Sequence, residues 1–387
     1  MPSRPALIVI LGSMVAIGPL SIDMYLPGLP EITRSLHASA AAVQLTLTAC
    51  VAGLACGQLV AGPLSDRLGR RRPLFAGLIT YAGVSLLCAL APNVIALTGL
   101  RFLQGLAGGA GIVIGRAVVR DLYHGAAAAK LFSSLMLVTG LAPILAPVIG
   151  AQVLKLTAWQ GIFVVQAALA LAIVTLAALA LPETLAAAKR DRGGLAATIR
   201  TMQALFAQRS FLRYALTAGL AFGALFAYIS GSPFVLQDVY GLSPQAFSLA
   251  FGANGLGLVA GSQINARLVG RYGPGFLLRR ALAVITAAAA LLLVIVAVGG
   301  GSVWPVIFCT FVVMSSLSFV MPNATALALA EHGKVAGTAS ALLGVTQFLI
   351  GGLAAPLVGI GGTASALPMA IVMFTLASGA VLVDRWR

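Results

Sequence analysis

The feature that most constrains this chain is a series of apolar stretches, each about 20 residues long. A helix that rises 1.5 Å per residue crosses a hydrocarbon core of about 30 Å in about 20 residues. A transmembrane barrel would show short alternating strands, and any backbone in lipid must satisfy its polar groups internally. With 60% hydrophobic and 9% charged residues, the chain is predicted to be an all-α membrane protein.

The apolar stretches fall into two sets of six, which predicts twelve transmembrane helices. The first set is predicted at residues 6–29, 41–64, 74–91, 94–118, 131–154 and 161–181. The second set is predicted at residues 214–234, 246–264, 281–298, 303–320, 336–360 and 366–383. The only long polar stretch lies between them. The sequence therefore predicts an N-terminal six-helix bundle at 1–181, a cytoplasmic linker at 182–213 and a C-terminal six-helix bundle at 214–387.

Lysine and arginine are concentrated in alternate loops. One set of loops and termini holds Arg4, the 67–72 cluster, Arg120, Lys130, Lys189, Arg190, Arg192, Arg200, Arg209, Arg213, Arg267, Arg271, Arg279, Arg280, Lys334, Arg385 and Arg387. The other set holds only Arg34 and Lys155. Because positive loops stay on the cytoplasmic side, both termini and the linker are predicted to be cytoplasmic, in a multi-pass protein of the bacterial inner membrane.

The net charge of +15 does not indicate nucleic-acid binding, because the basic residues sit in short loops between apolar runs. The four cysteines, Cys50, Cys56, Cys88 and Cys309, fall inside predicted spans without a CxxC pair or a histidine at ligand spacing. No metal site or disulfide is predicted. Paired catalytic carboxylates and a nucleophile with its base are also missing from the pattern, which argues against an enzyme or a receptor.

One charged motif stands between the second and third predicted spans, in the run GPLSDRLGRRRPL from Gly62 to Leu74. We expect a tight turn there. Its candidate functional residues are Gly62, Asp66, Arg67, Gly69, Arg70 and Arg71. A positive cytoplasmic loop would explain the arginines, but not the two glycines and the carboxylate at that spacing. At the same place in the second half the chain has Asn265 and Ala266, which indicates an internal repeat with a weaker copy.

Two charges are predicted to lie at one depth inside the first bundle. Asp23 is the only charge within span one, about two turns from its outer end, and Arg101 lies about two turns into span four. A lone intramembrane carboxylate is costly unless it is paired, neutral or facing water, and a proton-coupling site uses each of these options. Asp23 and Arg101 are therefore the candidate proton-coupling pair. The simpler interpretations, a static ion pair or a snorkelling arginine, stay open.

Further candidates lie in spans five, seven and eight and in neighbouring helices. The span-five residues Gly140, Pro143, Pro147 and Gly150 predict a bent helix packed through small residues. Polar and aromatic residues within spans predict a substrate cavity lined by Tyr25, Gln44, Phe222, Phe226, Tyr228, Asn254 and Gln347. Aromatic side chains at such positions also face lipid or neighbouring helices in many membrane proteins.

These motifs resemble the major facilitator superfamily, through G-x-L-x-D-R-x-G-R-[RK] at 62–71 and R-x-x-Q-G at 101–105. DMYLP in span one, RFLQG in span four and APILAP in span five together resemble its Bcr/CflA drug-resistance branch. The resemblance implies the major facilitator fold, two pseudo-symmetric six-helix bundles. It also implies that Asp66 and Arg70 form a charge cluster with Asp121 that locks the outward-facing state. Alanines replace three glycines of the exporter signature in span five.

The resulting hypothesis is a proton-coupled secondary transporter that exports small amphipathic drugs or metabolites by alternating access, as a monomer and with no cofactor beyond the proton gradient. Phenicols and bicyclomycin-like antibiotics are candidates through the resemblance alone. The alternative is an uptake symporter of the same fold for a sugar or organic anion. An anion carrier is expected to place several basic residues in its cavity, whereas only Arg101 and Arg116 lie within spans here.

Overall fold

The computed structural model describes residues 4–123, 125–186, 203, 205–299, 301–330, 336–362 and 364–386. In these ranges the chain forms twelve helices of 18 or more residues. They are α1 (Arg4–Asp23), α2 (Ala40–Leu68), α3 (Arg71–Ala89), α4 (Val94–Leu122), α5 (Gly125–Leu156), α6 (Gln160–Ala180), α7 (Arg209–Phe234), α8 (Pro244–Tyr272), α9 (Pro274–Ala297), α10 (Val303–Leu329), α11 (Ala336–Ile360) and α12 (Leu367–Asp384). Each coincides with one predicted span, so the predicted all-α fold is confirmed.

Several basic residues that predict the orientation lie outside the described ranges. More than half of the predicted linker 182–213 also lies outside the described ranges. The basic residues concerned are Lys189, Arg190, Arg192, Arg200, Lys334 and Arg387. Over the described ranges, ten helices are long and apolar enough to cross a membrane. The two long helices outside that set are α5, whose apolar stretch among the described residues is the shorter Gly140–Leu156, and α8.

The first predicted span, 6–29, lies within an apolar stretch long enough to cross a membrane, Leu7–Ser35, but it is not one continuous helix, because α1 stops at Asp23. A 3-10 turn (Leu26–Gly28) and a short helix (Leu29–Ser35) follow. Pro27 and Pro30 each sit at the start of one of these elements, where a proline is tolerated because its missing N–H would have no helical partner. The break places Asp23 at a helix end instead of inside a continuous helix.

The tight turn expected over Gly62–Leu74 is shorter than predicted. Helix α2 continues through Pro63 to Leu68, and α3 begins at Arg71, so only two residues connect the helices. Gly69 has φ = 89°, a backbone conformation that residues with a Cβ rarely adopt. The glycine of the motif is therefore explained by the turn, and Asp66 and Arg70 come one helical turn apart.

Three helices of the second half extend beyond their apolar runs. α8 ends at Tyr272 instead of residue 264, α9 begins at Pro274 instead of residue 281, and α10 ends at Leu329 instead of residue 320. The added turns of α8 and α9 carry arginines. The apolar run of residues ends where a helix leaves the hydrocarbon core, but the helical hydrogen bonds continue into the polar interface.

The chain divides into two compact units. The first contains Met1–Ala38 and Ala49–Gly193, and the second contains Ser39–Thr48 and Gly194–Arg387. In the first unit, α1 packs on α4 and α5, and α3 packs on α4 and α6, around a core of leucine, isoleucine, alanine and valine side chains. In the second unit, α7 packs on α10, α11 and α12, and α9 packs on α10 and α12.

Glycines bring α2 and α4 into backbone contact within the first unit. A Cβ added at Gly53 or Gly57 of α2 would overlap the carbonyl oxygen of Phe102 or Leu106, and one at Gly105 of α4 would overlap that of Cys50. Small residues spaced by four are the usual means of close helix approach in membranes. Gly105 belongs to the span-four motif, which therefore has a packing role.

We expect Gly105→Ala to destabilise the first unit by about 1–3 kcal/mol, the range found for overpacked cores. Gly99→Ala on the same helix is the matched control, because no atom lies within 4 Å of its added Cβ. Thermal unfolding of both variants in detergent checks this. Equal melting temperatures for the two variants would contradict the packing argument.

The segment Ser39–Thr48, which includes the start of α2, belongs to the second unit. Gln44 Nε2 donates to the Ser230 carbonyl of α7 at 3.0 Å, and Thr48 Oγ1 donates to the Gly352 carbonyl of α11 at 2.7 Å. Gly359 of α11 lies directly against Ala41, where a Cβ would overlap the α2 backbone. Gln44 therefore anchors α2 to α7, in addition to its predicted place near a substrate cavity.

Candidate functional site

Arg101 of α4 is completely buried in the first unit, eight residues into its helix. Its Nη2 donates to the Ser21 carbonyl of α1 at 2.8 Å, and its Nη1 donates to Gln104 Oε1. The guanidinium lies 4.5 Å from the ring centroid of Tyr25 and 5.6 Å from that of Phe163. Its Nε has no acceptor within the described residues. The charge is thus held by neutral acceptors and aromatic faces.

A buried amide network extends from Arg101 across three further helices. Gln104 Nε2 donates to Ser85 Oγ of α3 at 2.7 Å and to Gln166 Oε1 of α6 at 2.9 Å. Gln166 Nε2 in turn donates to the Leu20 carbonyl of α1 at 3.0 Å. Sequence reasoning missed Gln166, although an amide in the strongly apolar span six was the available signal. The network fixes the position of Gln104, which fixes one face of Arg101.

Asp23 is the last residue of α1 and is 6% exposed. Asp23 lies two residues after Ser21, and the Ser21 carbonyl is the acceptor that Arg101 binds. The ion pairs of the described residues do not include Asp23, so the pair with Arg101 that the sequence suggested is not formed in this arrangement. A buried carboxylate without a counter-charge is costly, and a helix C-terminus is an unfavourable place for a negative charge.

The predicted helix-bending motif of α5 lies against the segment that follows Asp23. Pro143 and Pro147 are both inside α5, where each removes one backbone hydrogen bond. Gly150 faces Met24, and an added Cβ would overlap the Met24 carbonyl oxygen. Met24 also shares a buried apolar cluster with Ala146 and Ile162. α5 therefore packs directly on the end of α1 beside the candidate coupling residue.

The charged motif forms one compact cluster at the other end of the first unit. Arg70 Nη1 contacts Asp66 Oδ1 at 2.5 Å and Ser65 Oγ at 2.8 Å. Its Nε and Nη2 donate to the two carboxylate oxygens of Asp121 at 2.8 and 3.2 Å. This two-pronged geometry suits a guanidinium and not an ammonium group. The structure brings Asp66, Arg70 and Asp121 together as the resemblance implied.

Glu183 completes this cluster and was missed from the sequence. Its two carboxylate oxygens accept the backbone N–H groups of Arg70 at 2.8 Å and Arg71 at 3.1 Å, at the start of α3. A carboxylate at a helix N-terminus satisfies free donors and the helix dipole together. The signal was available, because only nine residues of the chain are acidic.

Burial lowers the pKa of the Arg70 guanidinium, but the hydrogen bonds and charges of Asp121 and Asp66 outweigh burial and leave it above its ordinary value. Arg70 is thus charged at every physiological pH. Arg67 is exposed, and Gly62 is half-buried on α2. We call the cluster of Asp66, Arg70, Asp121 and Glu183 the charged clasp.

The cavity candidates of the second unit form two separate groups. Phe222 and Phe226 of α7 pack together with centroids 5.1 Å apart, and Phe222 also meets Phe348 of α11. Asn254 Nδ2 of α8 donates to the Tyr228 hydroxyl of α7 at 2.5 Å. Gln347 is half-buried on α11. Tyr25 belongs instead to the Arg101 site of the first unit.

The second-half copy of the charged motif is neutral. Asn323 Nδ2 of α10 donates to Asn265 Oδ1 of α8 at 2.7 Å, where the first half has an arginine and carboxylates. A different ion pair lies at the end of α12, where buried Asp384 meets Arg213 Nη2 at 3.4 Å. The clasp of the first half therefore has no charged equivalent at this position.

Twelve long helices in two compact units, with a buried arginine, a buried carboxyl and a charged clasp inside one unit, characterise a polytopic membrane protein. The Major Facilitator Superfamily profile matches residues 11–356. The chain belongs to the Major Facilitator Superfamily.

Similar proteins place the chain near drug-resistance transporters. It is 45% identical to the MFS-type transporter YdgK of Bacillus subtilis, over 97% of this chain and 93% of that protein. It is 32% identical to a bicyclomycin resistance protein homolog of Haemophilus influenzae, over 95% and 92%. A chloramphenicol resistance protein of Pseudomonas aeruginosa is 29% identical, over 97% and 89%.

Solved structures share the fold. The nucleoside transporter NupG superposes with a TM-score of 0.79 at 12% identity, covering 98% of this chain and 97% of that one. A bacterial homolog of the human lysosomal transporter Spinster superposes with a TM-score of 0.77 at 15% identity, covering 100% and 99%.

Proposed function

We propose that the protein exports small amphipathic drugs or metabolites across the bacterial inner membrane in exchange for protons. The observation that supports the coupling is the buried carboxyl of Asp23 at the end of α1, two residues after Ser21, whose backbone carbonyl Arg101 binds. The names of the relatives support drugs as cargo, because they include resistance to bicyclomycin and chloramphenicol. The protein acts as a carrier rather than as an enzyme.

Asp23 and Arg101 together form the proposed proton switch. With a proton on Asp23 the carboxyl is neutral, and Arg101 keeps the Ser21 carbonyl as its acceptor at 2.8 Å. When the proton leaves, the buried carboxylate requires a counter-charge. Arg101 is the proposed partner, because it already binds α1 two residues earlier, at the Ser21 carbonyl. Moving the guanidinium from Ser21 to Asp23 would loosen α1 from α4 and couple protonation to helix movement.

The break after α1 suits such a movement. Pro27 and the short elements that follow Asp23 interrupt the helical hydrogen bonds, so the end of α1 can shift without bending a continuous helix. Gly150 of α5 lies directly against Met24, so a shift of the end of α1 would displace α5 at this contact. α5 therefore provides a second helix that responds to the protonation of Asp23.

The remaining parts of the proposal concern conformation and topology. The clasp of Arg70, Asp66, Asp121 and Glu183 would hold the cytoplasmic side closed in the outward-facing state. Its contacts would break and re-form in each cycle of alternating access. Both termini and the linker would be cytoplasmic, and the protein would work as a monomer. The proton gradient would supply the energy for transport, and no cofactor is proposed.

Uptake of a sugar or organic anion is the second candidate, and the described residues give it no specific support. Export and uptake are separated by drug accumulation in a host that lacks its own efflux pumps. We expect cells that express the protein to retain less bicyclomycin or chloramphenicol than cells with an empty vector, and to lose the difference when an uncoupler removes the proton gradient. Increased retention would contradict export.

A further inference from the structure

The turn between α8 and α9 carries two stacked aromatic rings, and an arginine lies over each ring. The rings of Tyr272 and Phe276 are nearly parallel, with centroids 5.6 Å apart. The Arg271 guanidinium lies 5.3 Å from the Tyr272 centroid, and the Arg280 guanidinium lies 5.2 Å from the Phe276 centroid. Tyr272 is 45% exposed and Phe276 is 47% exposed, so the stack is open on the surface.

Both helices expose an apolar stripe that leads to this stack. On α9 the exposed positions Phe276, Val284 and Leu291 recur at eight and seven residues, which is one face of a helix. Arg280 lies on the same face, between Phe276 and Val284. A face of this length and polarity packs against acyl chains, so Arg280 stands where the hydrocarbon ends.

The stripe on α8 ends in the same way. Leu249, Leu256 and Ile264 are exposed at helical spacing, and the exposed arginines Arg267 and Arg271 continue that face toward the turn. The two stripes therefore converge on arginines at one end of the hairpin. A soluble anion would not require apolar faces below its binding site, whereas a phospholipid would.

Charge at the turn is almost uncompensated. The segment from Pro244 to Ala297 contains no aspartate or glutamate. The carboxylate that approaches it among the described residues is Asp384, whose Oδ2 lies 3.8 Å from Arg279 Nε. The turn also holds the first N–H groups of α9, where Pro274 begins the helix and Gly273 supplies no side-chain cap. These N–H groups, Arg271 and Arg280 all belong to this one turn and its first helical turns.

We propose that this surface is a binding site for the phosphate headgroup of an anionic glycerophospholipid. Arg271 and Arg280 contact the phosphate, Tyr272 and Phe276 hold the glycerol region, and the acyl chains lie along the exposed stripes of α8 and α9. Aromatic rings and arginines are the usual anchors at a membrane interface, and each basic residue there attracts anionic lipid. The site is separate from Asp23 and Arg101 and does not depend on the transported substrate.

Native mass spectrometry of the purified full chain tests the site, with phosphatidylglycerol and phosphatidylcholine of identical acyl chains as probes. Wild type should retain phosphatidylglycerol preferentially. Arg271→Gln/Arg280→Gln should weaken that binding by about five- to twenty-five-fold, at about fivefold for each arginine. Lys155→Gln/Arg209→Gln removes the same charge from two exposed residues and should change binding less than twofold.

Three outcomes overturn the proposal: no preference for phosphatidylglycerol in wild type, no loss in the test variant, or an equal loss in the control variant. Arg271→Lys/Arg280→Lys keeps the charge and should keep most of the binding. Competition with soluble glycerol phosphate separates lipid from free anion, because displacement of phosphatidylglycerol at equimolar concentration would contradict a role for the acyl chains. Thermal unfolding in lipid-free detergent verifies that each variant is folded.

Discussion

Asp23→Asn should abolish uphill export while leaving downhill substrate exchange intact. Asparagine keeps the size and polarity of the buried side chain but carries no exchangeable acidic proton. Each proton that crosses 100 mV supplies about 2.3 kcal/mol, which can maintain a substrate gradient of about 50-fold. In proteoliposomes the wild type should build such a gradient when a proton gradient is imposed, and the variant should reach only equal concentrations on the two sides.

The pH dependence gives an independent measure of the same step. Wild-type export should fall as the pH on the side that supplies protons is raised, because fewer carriers bind a proton there. The Asp23→Asn variant should show counterflow that does not vary with pH. Dye-based measurement of proton movement on addition of substrate reports coupling directly, and its signal should be lost.

Asp384→Asn is the matched control for this variant. It makes the same chemical change at another buried carboxyl, in the second unit, where Arg213 and Arg279 lie nearby. After correction for the amount of folded protein, its coupling ratio should equal that of wild type. Proton release and uphill transport that survive Asp23→Asn would exclude Asp23 as the coupling residue.

The number and order of helices were predictable because lipid solvation acts on every residue of a span. About 20 apolar residues define a crossing whatever they pack against, and all twelve predicted spans correspond to helices. Helix ends were less predictable where other forces act. α1 stops at Asp23 because prolines follow, and α8 and α9 continue beyond their apolar runs because charged turns remain helical in the interface.

Site residues were predictable where a charge or a special backbone conformation marked them. Asp66, Arg70 and Asp121 meet as expected, and the φ of 89° at Gly69 explains the glycine of the motif. Gln166 and Glu183 were missed because their roles depend on partners from other helices. An amide in an apolar helix or a rare carboxylate marks a candidate, but the local sequence does not show that Gln166 bridges Gln104 to the Leu20 carbonyl.

Arg70→Gln should strongly destabilise the first unit. The substitution removes the four hydrogen bonds that the Arg70 side chain makes to Asp66, Ser65 and Asp121, and it leaves Asp121 largely buried without its counter-charge. Removing one partner of a buried ion pair lowers the free energy of unfolding by about 3–5 kcal/mol. Because Asp66 is partly exposed, we expect Arg70→Gln to lower it by about 2–4 kcal/mol. The melting temperature of the purified variant in detergent should fall accordingly, with lower yields from the membrane.

A double-mutant cycle with Asp121→Asn separates the ion pair from other effects of the substitution. If Arg70 and Asp121 interact directly, the double variant should be more stable than the sum of the single losses predicts, by about 1–3 kcal/mol. Arg72→Gln removes an exposed arginine from the same motif and should change the melting temperature little. Strictly additive losses would contradict the direct pair. Arg70→Lys should recover only part of the stability, because an ammonium group cannot reach both Asp121 oxygens and Asp66 at once.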